Sequence, residues 1–215
     1  AGTMGFFKYI SEVLEIGKKP GEASGSSNYI PITPIDFCEL LKAEPSKGNY
    51  LYLGDLIEKE SGRLARVIDQ GSLQLHELLT YLIREIMRNT PEHAETNKLW
   101  ICGQCWPSYD LTEIAILDEG IGIYSSIKKN RVHRQYIKDN LSALEWSLKP
   151  GISNAFSPEK KQRSIDMWAN SGFGLFMVSE ICRYLGGSFC LISYDDYVLI
   201  NDGEVKTGNT FFEGT

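Results

Sequence analysis

Apolar residues recur at three- and four-residue spacing from Ser72 to His93, where Leu75, Leu78, Leu79, Leu82, Ile83 and Ile86 offer one core face. This is the strongest helical pattern in the chain. A second amphipathic stretch, Leu53–Asp69, sets Leu56, Ile57, Leu64 and Val67 beside Glu58, Glu60, Arg63 and Arg66, the pattern of a surface helix with solvated charges. Tyr29–Pro34 is predicted extended, because each proline biases its predecessor away from helix, and Thr33-Pro34-Ile35-Asp36 then starts a helical pattern through Leu41. Two apolar runs, Lys98–Trp106 and Leu111–Leu117, flank the turn residues Pro107-Ser108-Tyr109-Asp110 and predict an antiparallel hairpin. A helix over Gly174–Tyr184 and strands at Gly187–Ser193, Tyr197–Asn201 and Asn209–Phe212 close the pattern. The stretch Tyr124–Asn170 is long, polar and irregular, with a helix expected around Gln135–Leu148 and a Lys/Ser/Pro-rich segment at Ser157–Ser164. A connection of that length in a compact domain is expected to be a lid or to lack fixed structure.

With 42% apolar and 23% charged residues, a chain of 215 can bury a core without disulfide or metal staples. A net charge of −6 and a pI near 5.2 argue against an extended duplex-binding surface, which needs clustered Lys and Arg to neutralise phosphates. No apolar stretch approaches the roughly 20 residues of a membrane span and no signal-peptide pattern opens the chain, so a soluble, cytoplasmic protein is expected. Five cysteines form no regular framework. Cys102 and Cys105 make a C-x-x-C, but on a strand residues three apart point to opposite faces, and reduced thiols are the expectation.

Three motifs carry chemistry. Glu85-x-x-x-Asn89-x-x-x-His93 lies on the strong helix, where positions i, i+4 and i+8 share neighbouring parts of one face. A carboxylate can take a proton from water or a hydroxyl, and an amide oxygen is a hard ligand suited to Mg²⁺. In Ile116-Leu117-Asp118-Glu119-Gly120-Ile121-Gly122-Ile123, an apolar strand delivers an Asp into a turn with two glycines. Such an Asp can accept a hydrogen bond from an exocyclic amine, and the glycines let a planar ring or a phosphate approach the backbone. Asn170-Ser171-Gly172-Phe173-Gly174-Leu175 opens a helix, so its backbone N–H groups favour a bound phosphate. It is neither a Walker A loop nor a dinucleotide fingerprint. Taken singly, each motif has an ordinary alternative: a polar helix end before Pro91, a hairpin turn with a solvated Asp, and an isolated G-x-G.

Together and in this order the three motifs resemble the N, G1 and G2 boxes of the GHKL (Bergerat-fold) ATPases, the superfamily of histidine kinases, gyrase, heat-shock chaperones and MutL-like proteins. The similarity covers roughly Leu73 to Thr215. It implies a two-layer α/β (α+β) sandwich, with a mixed, mostly antiparallel sheet, helices on one face and nucleotide held between helices and sheet. The implied ATP-binding domain is 71–215 with a lid at about 124–170, preceded by a mostly helical extension, 1–70. The resemblance further implies that Glu85 is the general base and that Asn89 holds the Mg²⁺ bridging the ATP phosphates. Asp118 would bond the adenine amino group; Gly120, Gly122 and Ile123 would fit around the base. Ser171, Gly172, Phe173, Gly174 and Leu175 would sit by the phosphates. His93 resembles the histidine that anti-sigma-factor serine kinases carry at that point; as a bare residue it is also an ordinary helix-end histidine. The family pattern ends on Gly-Thr and a last strand. Gly214-Thr215 close this chain, so Thr215 is the expected match with the strand lying beyond it, and Thr210 before Phe211-Phe212 is the alternative.

The implied function is Mg²⁺-dependent ATP binding with slow hydrolysis. Two alternatives share the boxes: a protein kinase acting on a serine or histidine of an unidentified protein partner, and an ATP-gated interaction module without significant turnover. Most basic residues of the lid, Lys128, Lys129, Arg131, Arg134, Lys160, Lys161 and Arg163, are expected to be solvated.

Overall fold

The sheet and helices that carry the first two motifs follow from alternation and capping. The computed structural model describes residues 26–43, 53–152 and 172–210, and these fall into two compact units, 26–91 with 96–119 and 92–95 with 120–210. In the first unit a three-stranded antiparallel sheet has the order β1-β2-β3, with β1 at Tyr29–Asp36, β2 at Lys98–Trp106 and β3 at Leu111–Asp118. The predicted hairpin is present: β2 and β3 pair from Leu99↔Asp118 to Trp106↔Leu111. Its turn is a 3₁₀ segment, Pro107–Tyr109, closed by Asp110 in the left-handed region at φ 49°.

The expectation of a helix from Thr33 is corrected, because β1 runs on to Asp36 against β2, Thr33↔Ile101 through Asp36↔Lys98. Pro31 and Pro34 are tolerated since β1 is an edge strand, and the register shifts between Ile30 and Thr33. The helix α1 (Phe37–Ala43) begins only after Asp36, whose Oδ1 accepts from the N–H groups of Cys38 and Glu39 at 2.9 and 3.2 Å. That is an N-cap placed three residues later than the Thr33-Pro34 start suggested.

Helices α2 (Leu53–Ile68) and α3 (Leu73–Asn89) pack together and cover one face of this sheet. Leu56, Ile57, Leu64, Ala65 and Ile68 of α2 and Leu79, Ile83 and Met87 of α3 join Ile30, Ile35, Leu99, Ile101 and Cys105 of the strands in one buried cluster. Each such aliphatic side chain contributes about 1.5–3 kcal/mol on full burial. Ser72 caps α3 by accepting from the Leu75 N–H at 3.3 Å. Along β2 the buried positions alternate, so Cys105 lies in the core and Cys102 on the opposite face, as the strand reading of the C-x-x-C expects.

The second unit holds α4 (Gly122–Lys128), a 3₁₀ turn at His133–Tyr136, α5 (Asn140–Ser147), α6 (Gly174–Tyr184) and a second antiparallel sheet, β4-β5-β6. Its strands are β4 (Ser188–Ser193), β5 (Asp196–Asn201) and β6 (Glu204–Asn209). Here three expectations are corrected. The stretch expected to be irregular from Tyr124 opens inside a helix, α4, which runs to Lys128. The helix expected at Gln135–Leu148 is divided, because Asp139 forms a capping box with Ser142 and restarts it at Asn140. The last described strand precedes the one expected at Asn209–Phe212, because Asp202 and Gly203, with φ of 50° and 77°, make the turn into it. Phe211 and Phe212 lie outside the described residues. Mixed α+β content is thus as expected, and among the described residues no helix is long and apolar enough to cross a membrane.

Candidate functional site

Glu85 and Asn89 stand one turn apart in the last part of α3, on an uninterrupted α-helix. The expected continuation to His93 is corrected: α3 ends at Asn89, and Thr90–Ala94 form a π-helical turn in which His93 falls. Pro91 supplies the reason, since it has no N–H to donate to the carbonyl four residues back. His93 therefore leaves the α-helical spacing that placed it on one wall with Glu85 and Asn89, and it belongs to the second unit while they belong to the first.

The Glu85 carboxylate is held in an ion-pair network. Arg84 donates to Glu85 Oε1 from Nε at 3.2 Å and Nη2 at 3.0 Å, and to Glu58 Oε2 on α2 from Nη1 at 3.1 Å. Arg88 Nη1 lies 3.8 Å from the same Oε1. The Arg84 guanidinium also stands over the Tyr81 ring, 5.0 Å from its centre. Burial alone would weaken the Arg84 charge, but the hydrogen bonds to Glu58 and Glu85 outweigh it and raise its pKa. For Tyr81, burial and then the Glu85 charge push the phenol pKa up. The expectation that Glu58 is a plain solvated charge is corrected by these contacts. Arg84, Glu58 and Tyr81 escaped sequence reasoning, because adjacent helix residues normally diverge and nothing in the spacing links position 58 to position 84.

Asp118 is the last residue of β3, opposite Leu99, with an exposed side chain. Strand alternation puts it on the face of Ile114 and Ile116, which pack on the core under α2 and α3. Among the described residues no group of three or more His, Cys, Asp or Glu is placed to hold a metal. Mg²⁺ does not need one, because it keeps several waters and is commonly held by one or two carboxylates together with substrate phosphates.

In the second unit the Gly120–Ile123 turn is built around close backbone approach. Gly122 has φ 72°, and a Cβ on it would stand 2.5 Å from Cε2 of Tyr194. The Tyr194 hydroxyl donates to the Ile121 carbonyl at 3.0 Å, and the Ile123 N–H donates to Ser193 Oγ at 3.3 Å. The Ile121 N–H donates to the Ala94 carbonyl at 2.9 Å. Glycine at 122 is thereby required by geometry whether or not a ligand comes near it.

Gly172 has φ 76°, and a Cβ there would meet the Gly151 carbonyl carbon at 2.8 Å, while the Gly151 N–H donates to the Gly172 carbonyl at 3.0 Å. Gly174 and Leu175 open α6, which has no side-chain cap, and Phe173 is exposed at its start. Phe173, at the N-cap position, has no side-chain oxygen to accept from the first amides of α6. Ser171 and Thr215, with Asn170 and the lid residues Lys160, Lys161 and Arg163, lie outside the described residues. Thr210 is described, and its Oγ1 donates to the Asp195 carbonyl at 3.1 Å. Of the lid cations, Lys129 pairs with Glu95 and Lys128 lies over the Tyr124 ring, while Arg131 and Arg134 are exposed. No family model, curated protein or solved structure matches this chain.

Proposed function

We propose that the chain is a Mg²⁺-dependent ATP-binding protein of the Bergerat-fold kind, hydrolysing ATP slowly with Glu85 as general base. In this reading Asn89 supplies the protein oxygen to Mg²⁺, which screens phosphate charge when bound, and Asp118 accepts from the adenine amino group. Gly120, Gly122 and Ile123 are assigned to the base, and Gly172, Phe173, Gly174 and Leu175 to the phosphates. His93, Ser171 and Thr215 keep the nucleotide contacts that the resemblance implies.

The observation that carries the reading is where the motif residues fall on secondary structure. Glu85 and Asn89 share the last turns of α3, Asp118 ends β3, and Gly174 begins α6. Asn89, Asp118 and Gly174 stand at the ends of their elements, and Glu85 lies one turn before Asn89. Glu85 adds a mostly buried carboxylate, a group of the type that accepts a proton from a water or hydroxyl nucleophile.

Calorimetric titration of ATP with and without Mg²⁺ tests the binding, on the wild type and on Asp118→Asn. Mg²⁺-sensitive binding that the variant loses is expected; a folded wild type that does not bind ATP rejects the reading. Glu85→Ala is expected to bind ATP and release no phosphate. Label passing from ATP to a partner protein, in place of free phosphate, would make the same site a kinase.

A further inference from the structure

We propose that Arg84 is the positioning residue of Glu85: anchored by Glu58 on α2, its guanidinium grips Oε1 and presents Oε2 to the attacking water. The inference rests on the ATPase reading above and assigns a second layer to that site.

Among the described residues, every ion pair or hydrogen bond to the Glu85 carboxylate falls on Oε1, from Arg84 Nε and Nη2 and from Arg88 Nη1. Side chains at i and i+1 of a helix point about 100° apart, so an Arg84–Glu85 contact does not come from helix spacing. It comes from two outside anchors. Glu58, on a neighbouring helix, takes Nη1 at 3.1 Å, and the Tyr81 ring supports the guanidinium face. With Nη1 spent on Glu58, the Nε–Nη2 edge is left aimed at Glu85, and the arginine fork is held as a bracket between two helices of one packed unit.

The bracket also shares one guanidinium between two carboxylates, Glu85 and Glu58. Oε2 then carries the chemistry. As the water oxygen bonds to the γ-phosphorus, its proton passes to Oε2 and the bond from phosphorus to the β–γ bridging oxygen breaks, giving ADP and inorganic phosphate. Lysine cannot replace the bracket, because a single ammonium lacks the planar fork that reaches two carboxylates in fixed directions.

The test compares Arg84→Ala, Arg84→Lys and Glu58→Gln with the wild type in three readouts: kcat for ATP hydrolysis, calorimetric Kd for Mg-ATP, and the Nε–H resonance of Arg84 in ¹⁵N spectra. Arg84→Ala should lower kcat roughly ten- to a hundredfold, the scale of a misplaced catalytic group. Its Kd should stay within about twofold, since Arg84 is not asked to touch nucleotide. Glu58→Gln, which leaves both site residues intact, should lower kcat in the same sense and shift the Arg84 Nε–H signal, and Arg84→Lys should recover only part of the loss. If kcat is unchanged in Arg84→Ala or Glu58→Gln while the wild type turns over, the positioning role is wrong and the ATPase reading stands. A loss of kcat matched by loss of folded protein in Arg84→Ala but absent in Glu58→Gln also overturns it. A wild type that binds no ATP, or binds it without turnover, removes the ATPase reading and this inference with it.

Discussion

Single residues set the terms for both units. Glu85, Asn89 and Asp118 could be named from their spacing, because a carboxylate four residues from an amide on a strong helix, and an Asp between an apolar run and two glycines, are unusual in combination. The bracket around Glu85 was not legible, since Glu58 and Arg84 are 26 residues apart and meet only after α2 and α3 pack. His133 is another residue whose condition the sequence hid. It is buried beside Trp146, its two ring nitrogens have no hydrogen-bond partner among the described residues, and burial lowers its pKa from the ordinary value of 6.5. The native state then holds fewer protons than the unfolded state below that value, so stability rises with pH through the window. The contribution is fully present above about pH 6.5 and is lost as pH falls toward and through the folded pKa. His133→Phe keeps an aromatic ring there and removes the titration. Melting curves from pH 7.5 to 5 should therefore fall less steeply for the variant than for the wild type; parallel curves would show that His133 is protonated as readily folded as unfolded.

At the scale of elements, what could be read depended on whether the signal was local. The helix at α2, the main part of α3 and the β2–β3 hairpin were legible because amphipathic period and turn chemistry are contained within each segment. The boundary between β1 and α1 was not, because Pro34 is a helix-start signal in isolation and an acceptable edge-strand residue once β2 lies beside it. The break before α5 was present in the sequence as Asp139-x-x-Ser142, an unorthodox capping box with serine in place of the usual Glu or Gln. Asp139 accepts from the Ser142 N–H at 2.8 Å, and Ser142 Oγ accepts from the Asp139 N–H at 3.0 Å. Hydrogen bonding to the carboxylate from the Ser142 side chain, and then from its backbone N–H, holds the Asp139 pKa below its ordinary value. α5 has only eight residues, too few to be stable by propensity alone. Asp139→Ala should destabilise α5, as the loss of an N-cap does. Faster amide exchange along 140–147, with β4 and β5 unaffected, is the expected pattern, and unchanged exchange in α5 would mean that packing of Ala143 and Leu144 holds the helix without its cap.

For the molecule as a whole, the division into two units decides how a ligand should be detected. A chain with two compact units need not unfold in one step, so a single melting temperature is a poor reporter of binding. Segment-resolved hydrogen exchange separates the units. A ligand that binds only the native form stabilises it by RT ln(1 + [L]/Kd), about 2.7 kcal/mol at a hundredfold excess over Kd. Glu85, Asn89 and Asp118 all lie in the first unit, whose α2, α3 and sheet share one core. Amides of β2 and α3 that exchange only when that core opens should then slow by roughly a hundredfold at such an excess of Mg-ATP. Asp118→Asn should abolish most of the slowing at the same nucleotide concentration, and ATP without Mg²⁺ should give less of it. Slowing confined to the second unit would leave Gly120–Ile123 and Gly172–Leu175 as the contacts that matter and would strip Glu85, Asn89 and Asp118 of their assigned roles. Unchanged exchange throughout, at concentrations where calorimetry detects binding, would place the nucleotide on a conformation that the native core does not favour.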